Sequence, residues 1–372
     1  MPSAPELLIN AYSAHQIDLV KASNAEAKKF DEFFTELAEY LQNRLQQEGD
    51  TITTKKRLAE LLKDIKEKQY LIYGSFTADL FDDMKEMVQL ELDFNEELIN
   101  KFVVDYTSAV PTLDQAWQAV TGNPLLIGYK GGAIDWDNLV SGWQADSITR
   151  VANRITTGFY TGQTIQQMVR DIVGTKSAKY QNGIINLTRK DAFTVAKTAV
   201  MHLATQTKDA FYRKNDDLIV GVKVVATLDS RTSDYCRQVD GKVYLYADYP
   251  DNKYPKPPYH FSCRSHLSPV MSEEYDWLMS DAKRPSVTLN ADGSAKAKQV
   301  SADTTYYDWL KSQPKATVYA ALGKTQGDIF MNAGLSADEF KEAARVGLNQ
   351  TLTIDILKSR NKQIATYLEN YK

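Results

Sequence analysis

Apolar residues recur at helical spacing throughout the first half of the chain. The stretches 28–50, 53–74 and 77–102 each carry a stripe whose apolar members lie three or four residues apart. In the first stretch the stripe consists of Phe30, Phe33, Phe34, Leu37 and Leu41. This period is typical of amphipathic helices, so the N-terminal region is predicted to be helical. The stripe residues are assigned to a core, with a groove for a partner protein as the alternative.

Helix boundaries are marked more clearly in the middle of the chain. Thr164 is the predicted N-cap of a helix, because Gln167 follows three residues later as in a capping box, and Gly174 is its predicted stop. Thr188 is the predicted cap of the next helix, which contains His202. We expect this histidine to be packed and hydrogen-bonded, because no second ligand lies at helical spacing from it.

The period changes from helical to alternating near residue 220. Val222 and Val224 alternate with Lys223, which predicts a half-buried strand. The pair Asp240-Gly241 is a turn signal, and the alternating stretch after it predicts the second strand of a β-hairpin. The first strand leads into "DSRTSDYC" at 229–236. A proline-rich stretch then returns the chain to "HFSCRSH" at 260–266.

The C-terminal region again contains amphipathic stretches. They are "SADEFKEAARVGLN" and "TIDILKSRNKQIATYLENYK", with Ser336 and Thr353 as predicted caps. The tetrapeptide "LGKT" is not a nucleotide-binding loop. Such a loop needs a glycine five residues before Gly323, and Val318 stands there instead.

These patterns predict an α+β fold that is predominantly helical. It would have a helical N-terminal half, a small central domain containing a β-hairpin, and a helical C-terminal segment. The predicted regions are 1–125, 126–280 and 305–372. The small and polar stretch 281–304 is predicted to be a linker or an extended arm.

Composition narrows the class of protein without naming a function. The 372 residues are 43% hydrophobic and 25% charged, as in soluble globular proteins. A net charge of -4 presents no overall basic field to nucleic acid. No basic segment followed by an apolar run opens the sequence, and no apolar run reaches the roughly 20 residues of a membrane span. Two cysteines make no disulfide framework, which favours assembly in a reducing cytoplasm.

The metal-ligating residue types are concentrated in one short part of the chain. Both cysteines and two of the four histidines lie within 229–266. The hairpin can bring Cys236, His260 and Cys263 together as zinc ligands. Zinc favours four such ligands in a tetrahedron. The candidates for the fourth ligand are His266, Asp229 and Asp234.

Other interpretations of the same residues remain open. Cys236 and Cys263 can form a disulfide bond. Alternatively, Asp229, Arg231 and His260 can form a buried polar network, with the cysteines packed as small apolar residues. A metal-dependent enzyme, for example a nuclease, could use Asp229, Cys236, His260 and Cys263. No nucleophile motif and no carboxylate pair accompany them, so the chain is predicted not to be an enzyme.

Several of these residues form an ordered motif. It runs Asp229-x-Arg231-Thr232-x-x-x-Cys236, then Asp240-Gly241-Lys242-Val243, then Pro257-Pro258-x-His260-x-x-Cys263-Arg264-Ser265. The set resembles the signature of the phage Mu F-like minor head protein family, which is D-x-R-T, C, D-G-K-V and P-P-x-H-P-N-C-R-S/C. The resemblance covers about Thr188 to Val270. "YYDWLKSQP", "LGKTQGDIF" and "GLSADEF" resemble a common extension of the family.

The chain departs from the family pattern at positions that bear on metal binding. Phe261 and Ser262 replace the usual Pro-Asn pair. Some relatives have cysteine where this chain has Ser233 and Ser265, so the resemblance supports zinc less strongly here. His266 is the residue that could substitute as a ligand.

The resemblance implies a structural protein of the virion. Proteins of this family are minor components of tailed-phage heads. They are incorporated during procapsid assembly, associate with the portal vertex, and in some systems influence DNA packaging or ejection. The implied partners are the phage portal protein and the major capsid or scaffolding protein, with a contact to packaged DNA as a further option and no membrane.

The resemblance also implies a location and a role for the motif. The protein would lie in the head interior near the portal, after assembly in the host cytoplasm. The motif residues expected to be structural are Asp229, Arg231, Thr232, Gly241 and Arg264. Apart from the zinc hypothesis, no cofactor is expected.

Overall fold

The computed structural model describes residues 4–127, 132–279, 282–290, 292–348 and 350–370. The chain divides into two compact units, each assembled from separated stretches, whereas the sequence predicts consecutive regions. The helical unit comprises Lys21–Met87 and Asp135–Val200. The mixed unit comprises Met1–Val20, Val88–Ile134 and Met201–Lys372. Among the described helices, none combines the length and the apolar character that a membrane crossing needs.

Helices dominate the chain, and short antiparallel strands lie between them. The helices before the first strand are α1 (Ala4–Gln46), α2 (Lys55–Phe102), α3 (Leu113–Gly122), α4 (Trp136–Tyr160), α5 (Ile165–Val173) and α6 (Ile184–Lys214). The strands are β1 (Ile219–Val225), β2 (Val243–Leu245), β3 (His266–Met271), β4 (Lys283–Leu289) and β5 (Ala295–Ser301). Helix α7 (Asp234–Val239) lies between β1 and β2. The last helices are α8 (Tyr306–Lys311), α9 (Lys315–Leu322), α10 (Lys324–Asn332), α11 (Ala337–Ala343), α12 (Ile354–Arg360) and α13 (Lys362–Asn370). The predicted α+β, predominantly helical fold class is confirmed.

Aromatic side chains organise the core of the helical unit. Phe30 and Phe76 meet edge to face with ring centroids 4.1 Å apart, and Phe76 meets Trp143 in the same way at 5.4 Å. Tyr73 also contacts Trp143, and its hydroxyl lies 2.6 Å from Ser147 Oγ, so this buried polar group is satisfied. The stripe predicted for the first helix is confirmed as core, with four buried members and one half-buried member: Phe30, Phe34, Leu37, Leu41 and Phe33.

The predicted break between the second and third helices is wrong. Residues 53–74 and 77–102 contribute to one continuous helix, α2, which passes through Gly74. A glycine in a helix interior costs only about 1 kcal/mol. Burial of Tyr73 and Phe76 on either side of it outweighs that cost.

The predicted helix start at Thr188 is also wrong. Helix α6 begins at Ile184, and the Thr188 hydroxyl donates to the Ile184 carbonyl within the helix. A threonine inside a helix can satisfy its hydroxyl in this way, so the residue type alone did not mark a cap.

The other predicted helix boundaries are confirmed by their capping bonds. The Thr164 side chain accepts a bond from the Gln167 backbone N–H and the Gln167 side chain accepts one from Thr164 N–H, which is a complete capping box. Gly174 follows the helix with φ of 100°. Ser336 and Thr353 accept capping bonds at the starts of α11 and α12.

The mixed unit contains a three-stranded antiparallel sheet in the order β2-β1-β3. Val222 of β1 pairs with Tyr244 of β2, which confirms the predicted hairpin partners. On the other side of β1, Val222 pairs with Pro269 of β3, a strand that the sequence did not indicate. Proline is tolerated there because β3 lies at the edge of the sheet.

The predicted linker over 281–304 is wrong for Lys283–Leu289 and Ala295–Ser301, which form the β4–β5 hairpin. Arg284 on β4 is buried and forms two bonds of 2.9 Å with the buried carboxylate of Asp240. Ser286 bridges in parallel to Leu228, just beyond β1. The strand was missed because its buried positions include polar residues and β5 is exposed almost throughout, so the hairpin has little apolar alternation.

The C-terminal helices pack around a second aromatic core in the mixed unit. Phe330 and Phe340 lie 4.8 Å apart edge to face, and Tyr307 contacts both rings. Helix α7 joins this core to the sheet: Asp234 Oδ2 accepts from Leu352 N–H at 2.9 Å. The neighbouring residue Arg237 donates to a backbone carbonyl of α9 at 2.8 Å. The short helix that carries Cys236 therefore also holds the C-terminal segment.

Candidate functional site

The loop after β1 is closed by the carboxylate of Asp229. Its Oδ1 accepts bonds from the backbone N–H of Arg231 at 2.9 Å and from the hydroxyl of Thr232 at 3.1 Å. The Asp229 carbonyl accepts from the Tyr306 hydroxyl at 2.8 Å. These bonds hold the turn that leads the chain from the strand towards α7.

Helix α7 presents Cys236 to the interior. Ser233 is the N-cap, and its side chain accepts a bond from the Cys236 backbone N–H at 3.4 Å. This is the usual role of serine at a helix start. The Cys236 side chain is buried within the mixed unit.

The irregular stretch 249–265, before β3, is held in place by contacts at two points. Lys256 Nζ lies 2.8 Å from the buried carboxylate of Asp209 on α6, which also accepts a bond from the Tyr254 hydroxyl. Further along, the Cys263 backbone N–H donates to the His260 carbonyl at 3.1 Å, closing a four-residue turn. This turn holds His260 and Cys263 close together.

The three side chains predicted to meet do meet. Cys236 Sγ lies 3.3 Å from His260 Nε2 and 3.7 Å from Cys263 Sγ. All three ligand atoms lie within 4.8 Å of one another, and these three side chains are called the sulfur group below. Both cysteines are free, so the predicted disulfide alternative is not present in this structure. Among the described histidine, cysteine and acidic residues, this is the group of three or more suited to a metal ion.

The protonation of the group is strongly perturbed. Burial opposes ionisation of Cys263, but its contacts with Cys236 and His260 outweigh burial and hold its pKa well below that of an ordinary thiol. The pKa of His260 is raised although burial lowers it, because the Cys263 sulfur stabilises the charged ring. Contact with Cys263, together with burial, raises the pKa of the Cys236 thiol well above its usual range. The arrangement favours a Cys263 thiolate beside a protonated His260 ring.

The buried polar network offered as an alternative is present with different partners. Asp229 forms a two-bond ion pair with Arg264, at 2.5 and 2.9 Å, instead of pairing with His260. The Arg231 side chain is 81% exposed and lies 3.7 Å from the same carboxylate. Arg264 holds the pKa of Asp229 below its usual value, although burial alone would raise it. His260 belongs to the sulfur group and not to this pair.

The candidates for a fourth metal ligand lie outside the sulfur group. His266 starts β3 and pairs with Val225. Burial, with the nearby charges of Lys208 and Arg284, holds its pKa well below the usual histidine range. Asp229 and Asp234 are engaged elsewhere, by Arg264 and Arg237 respectively. Of the four predicted metal residues, the structure brings together three.

The Asp240-Gly241 turn brings the β4–β5 hairpin against the sheet. Gly241 has φ of 80°, and its N–H donates to Val224 of β1 at 2.9 Å. The buried Asp240 carboxylate accepts from the Ala226 N–H and from Arg284. The role of Arg284 was missed in the sequence, because a charged residue in a polar stretch carries no signal of burial.

The family comparison covers the whole sulfur group and both loops that build it. Residues 149–268 match the family model described as Phage Mu protein F like protein, which confirms the resemblance carried by the motif. The match covers 120 of the 372 residues of the chain. No curated protein and no solved structure matches the chain.

Proposed function

We propose that this chain is a minor head protein of a tailed bacteriophage, incorporated during procapsid assembly and associated with the portal vertex. There it would support head morphogenesis and DNA packaging or ejection. The observation that carries this proposal is the family match over residues 149–268, which includes every residue of the Asp229–Arg264 motif. The proposed partners are the portal protein and the major capsid or scaffolding protein, with packaged DNA as a further contact. The proposed location is the head interior near the portal.

We also propose that the role is structural and that the chain is not an enzyme. The supporting observation is the engagement of Asp229, the acid that the enzyme hypothesis requires. Both of its carboxylate oxygens accept bonds from Arg264, and the carboxylate lies outside the sulfur group. An acid neutralised in this way is a poor general base.

The long helices supply surface for such partners. α1 and α2 contain 43 and 48 residues. On α2 the side chains of Tyr70 and Leu71 are 61% and 68% exposed. Exposed aromatic and aliphatic side chains of this kind are common in protein interfaces, so this part of α2 is a proposed contact for a capsid component.

Quantitative mass spectrometry of purified virions tests the proposal. We expect this chain at a small and reproducible ratio to portal subunits, retained after washing in salt. The major capsid protein serves as the internal standard for head number. Absence of the chain from virions would overturn the proposed role.

A nuclease assay on the purified chain tests the non-enzymatic part separately. We expect no turnover of DNA or RNA, either by the chain itself or by the His260→Ala variant. Turnover that His260→Ala abolishes without loss of fold would contradict the structural role.

A further inference from the structure

We propose that Cys236, His260 and Cys263 bind a single zinc ion. The three residues supply two sulfurs and one imidazole nitrogen, which are the ligand types that zinc favours in proteins. This proposal does not rest on the head-protein function, because it is carried by the geometry of the three side chains alone.

The two separations measured from Cys236 Sγ fit a zinc tetrahedron, and the third pair of ligand atoms lies within 4.8 Å. Zinc–sulfur bonds of about 2.3 Å and zinc–nitrogen bonds of about 2.0 Å place two sulfurs about 3.8 Å apart and a sulfur and a nitrogen about 3.5 Å apart in a tetrahedron. The corresponding separations are 3.7 Å between Cys236 Sγ and Cys263 Sγ and 3.3 Å between Cys236 Sγ and His260 Nε2. The sulfurs are far beyond the bond length of a disulfide, which is about 2.05 Å.

The orientation of His260 also suits a metal ligand. Its Nδ1 lies 2.9 Å from the Phe261 carbonyl, which can only accept, so Nδ1 carries a proton. Nε2 therefore faces the sulfurs and is the nitrogen available to a metal. A backbone carbonyl that holds the other ring nitrogen is the usual outer support of a zinc-bound histidine.

Charge balance favours zinc in this buried place. Both cysteine residues are buried, with exposed fractions of 2% for Cys236 and 1% for Cys263. Two thiolates and a neutral imidazole would carry a charge of -2, which a divalent cation cancels. Without a cation, burying two negatively charged sulfurs would cost much free energy.

The ion would fasten helix α7 to the irregular stretch before β3. Cys236 lies on α7, and Cys263 lies 27 residues later at the end of the irregular stretch. Within the described chain, the fourth position has no histidine, cysteine or acidic residue. We assign it to a ligand from outside the chain, such as a water molecule.

Metal analysis of the purified full chain tests the proposal directly. After zinc is removed and then restored under reducing conditions, we expect about one zinc per chain. The cobalt-loaded protein should show sulfur-to-cobalt charge-transfer absorption, which reports thiolate ligands independently of any variant. Less than about a tenth of an equivalent of zinc, absence of that absorption, or recovery of the two cysteines as a disulfide would each overturn the assignment.

Single substitutions then identify the ligands. Cys236→Ser, Cys263→Ser and His260→Ala should each weaken zinc binding at least about 100-fold, since even the loss of an outer support costs 10–100-fold. His15→Asn is the matched control for loss of a histidine, and it should bind as the native chain does. His266→Asn should also retain zinc. A loss in His266→Asn equal to that in His260→Ala would overturn the three-ligand assignment.

Discussion

At the scale of single residues, the motif contains two kinds of side chain. Asp229 and Arg264 hold the backbone in place through a partly buried ion pair, with side-chain exposures of 8% and 27%. Cys236, His260 and Cys263 instead face one another. The sequence motif contains all of these residues without distinguishing their roles. In the structure, Asp229 and Arg264 hold the backbone, whereas the other three bring possible metal ligands together.

Replacing Asp229 by Asn should destabilise the mixed unit by about 2–3 kcal/mol at neutral pH. This is below the roughly 3–5 kcal/mol for breaking a fully buried pair, because Arg264 keeps some exposure to water. Chemical denaturation followed by circular dichroism measures the change. Asp303→Asn is the control, since that carboxylate is 91% exposed, and it should change stability by less than about 0.5 kcal/mol.

The effect of Asp229→Asn should depend on pH. The native pKa of Asp229 is depressed, so its ionised form stabilises the fold above the unfolded value of about 3.9. That stabilisation is lost as the pH falls through the native pKa. The stability difference between the native chain and Asp229→Asn should therefore shrink below about pH 4. A difference that stays constant to low pH would contradict the assigned ion pair.

At the scale of elements, a buried charge is one of the contacts that anchor the β4–β5 hairpin. Arg284 is 6% exposed and pairs with an Asp240 carboxylate that is fully buried. The outer strand β5 is exposed almost throughout, so little apolar burial holds it. The buried Arg284–Asp240 ion pair helps to explain why a stretch with the composition of a linker forms a β-hairpin.

Arg284→Ala should loosen the hairpin and destabilise the mixed unit by about 3–5 kcal/mol, because it leaves the Asp240 carboxylate buried without its partner. Hydrogen–deuterium exchange measured by mass spectrometry should then speed up across β4 and β5. Lys296→Ala, on the exposed strand, is the matched control and should leave exchange unchanged. Unchanged protection in Arg284→Ala would show that the hairpin is held in another way.

At the scale of the whole molecule, distant parts of the chain form common units. Helix α7 links the sheet to the C-terminal helices, because Arg237 donates to the Ala321 carbonyl and lies over the Tyr306 ring at 5.3 Å. The C-terminal segment is therefore part of the mixed unit and not a separate attachment.

Arg237→Ala should weaken both parts of this connection. Its guanidinium is 5% exposed and also pairs with Asp234, so a loss of about 2–3 kcal/mol is expected for the buried charged bonds. Hydrogen exchange should rise in α8 and α9 as well as in α7. Arg345→Ala, at a side chain 62% exposed, is the control. A change confined to α7 would show that the segments open independently.

The sequence by itself determined the features that depend on local chemistry. Helical periodicity marked the stripe of Phe30 and Leu37, the capping box marked Thr164, and alternation marked β1. The meeting of Cys236, His260 and Cys263 could also be predicted from the sequence, because a hairpin and a short turn suffice to bring these residues together. The family motif pointed to head morphogenesis.

Only the tertiary structure decided which partners satisfy the buried polar groups. Arg264 rather than His260 pairs with Asp229, Arg284 turns a polar stretch into a hairpin, and His266 lies apart from the sulfurs. Charged and polar side chains follow no apolar period, and their burial depends on a partner far away in the chain. Such long-range pairing is set when the elements pack, so no local pattern records it.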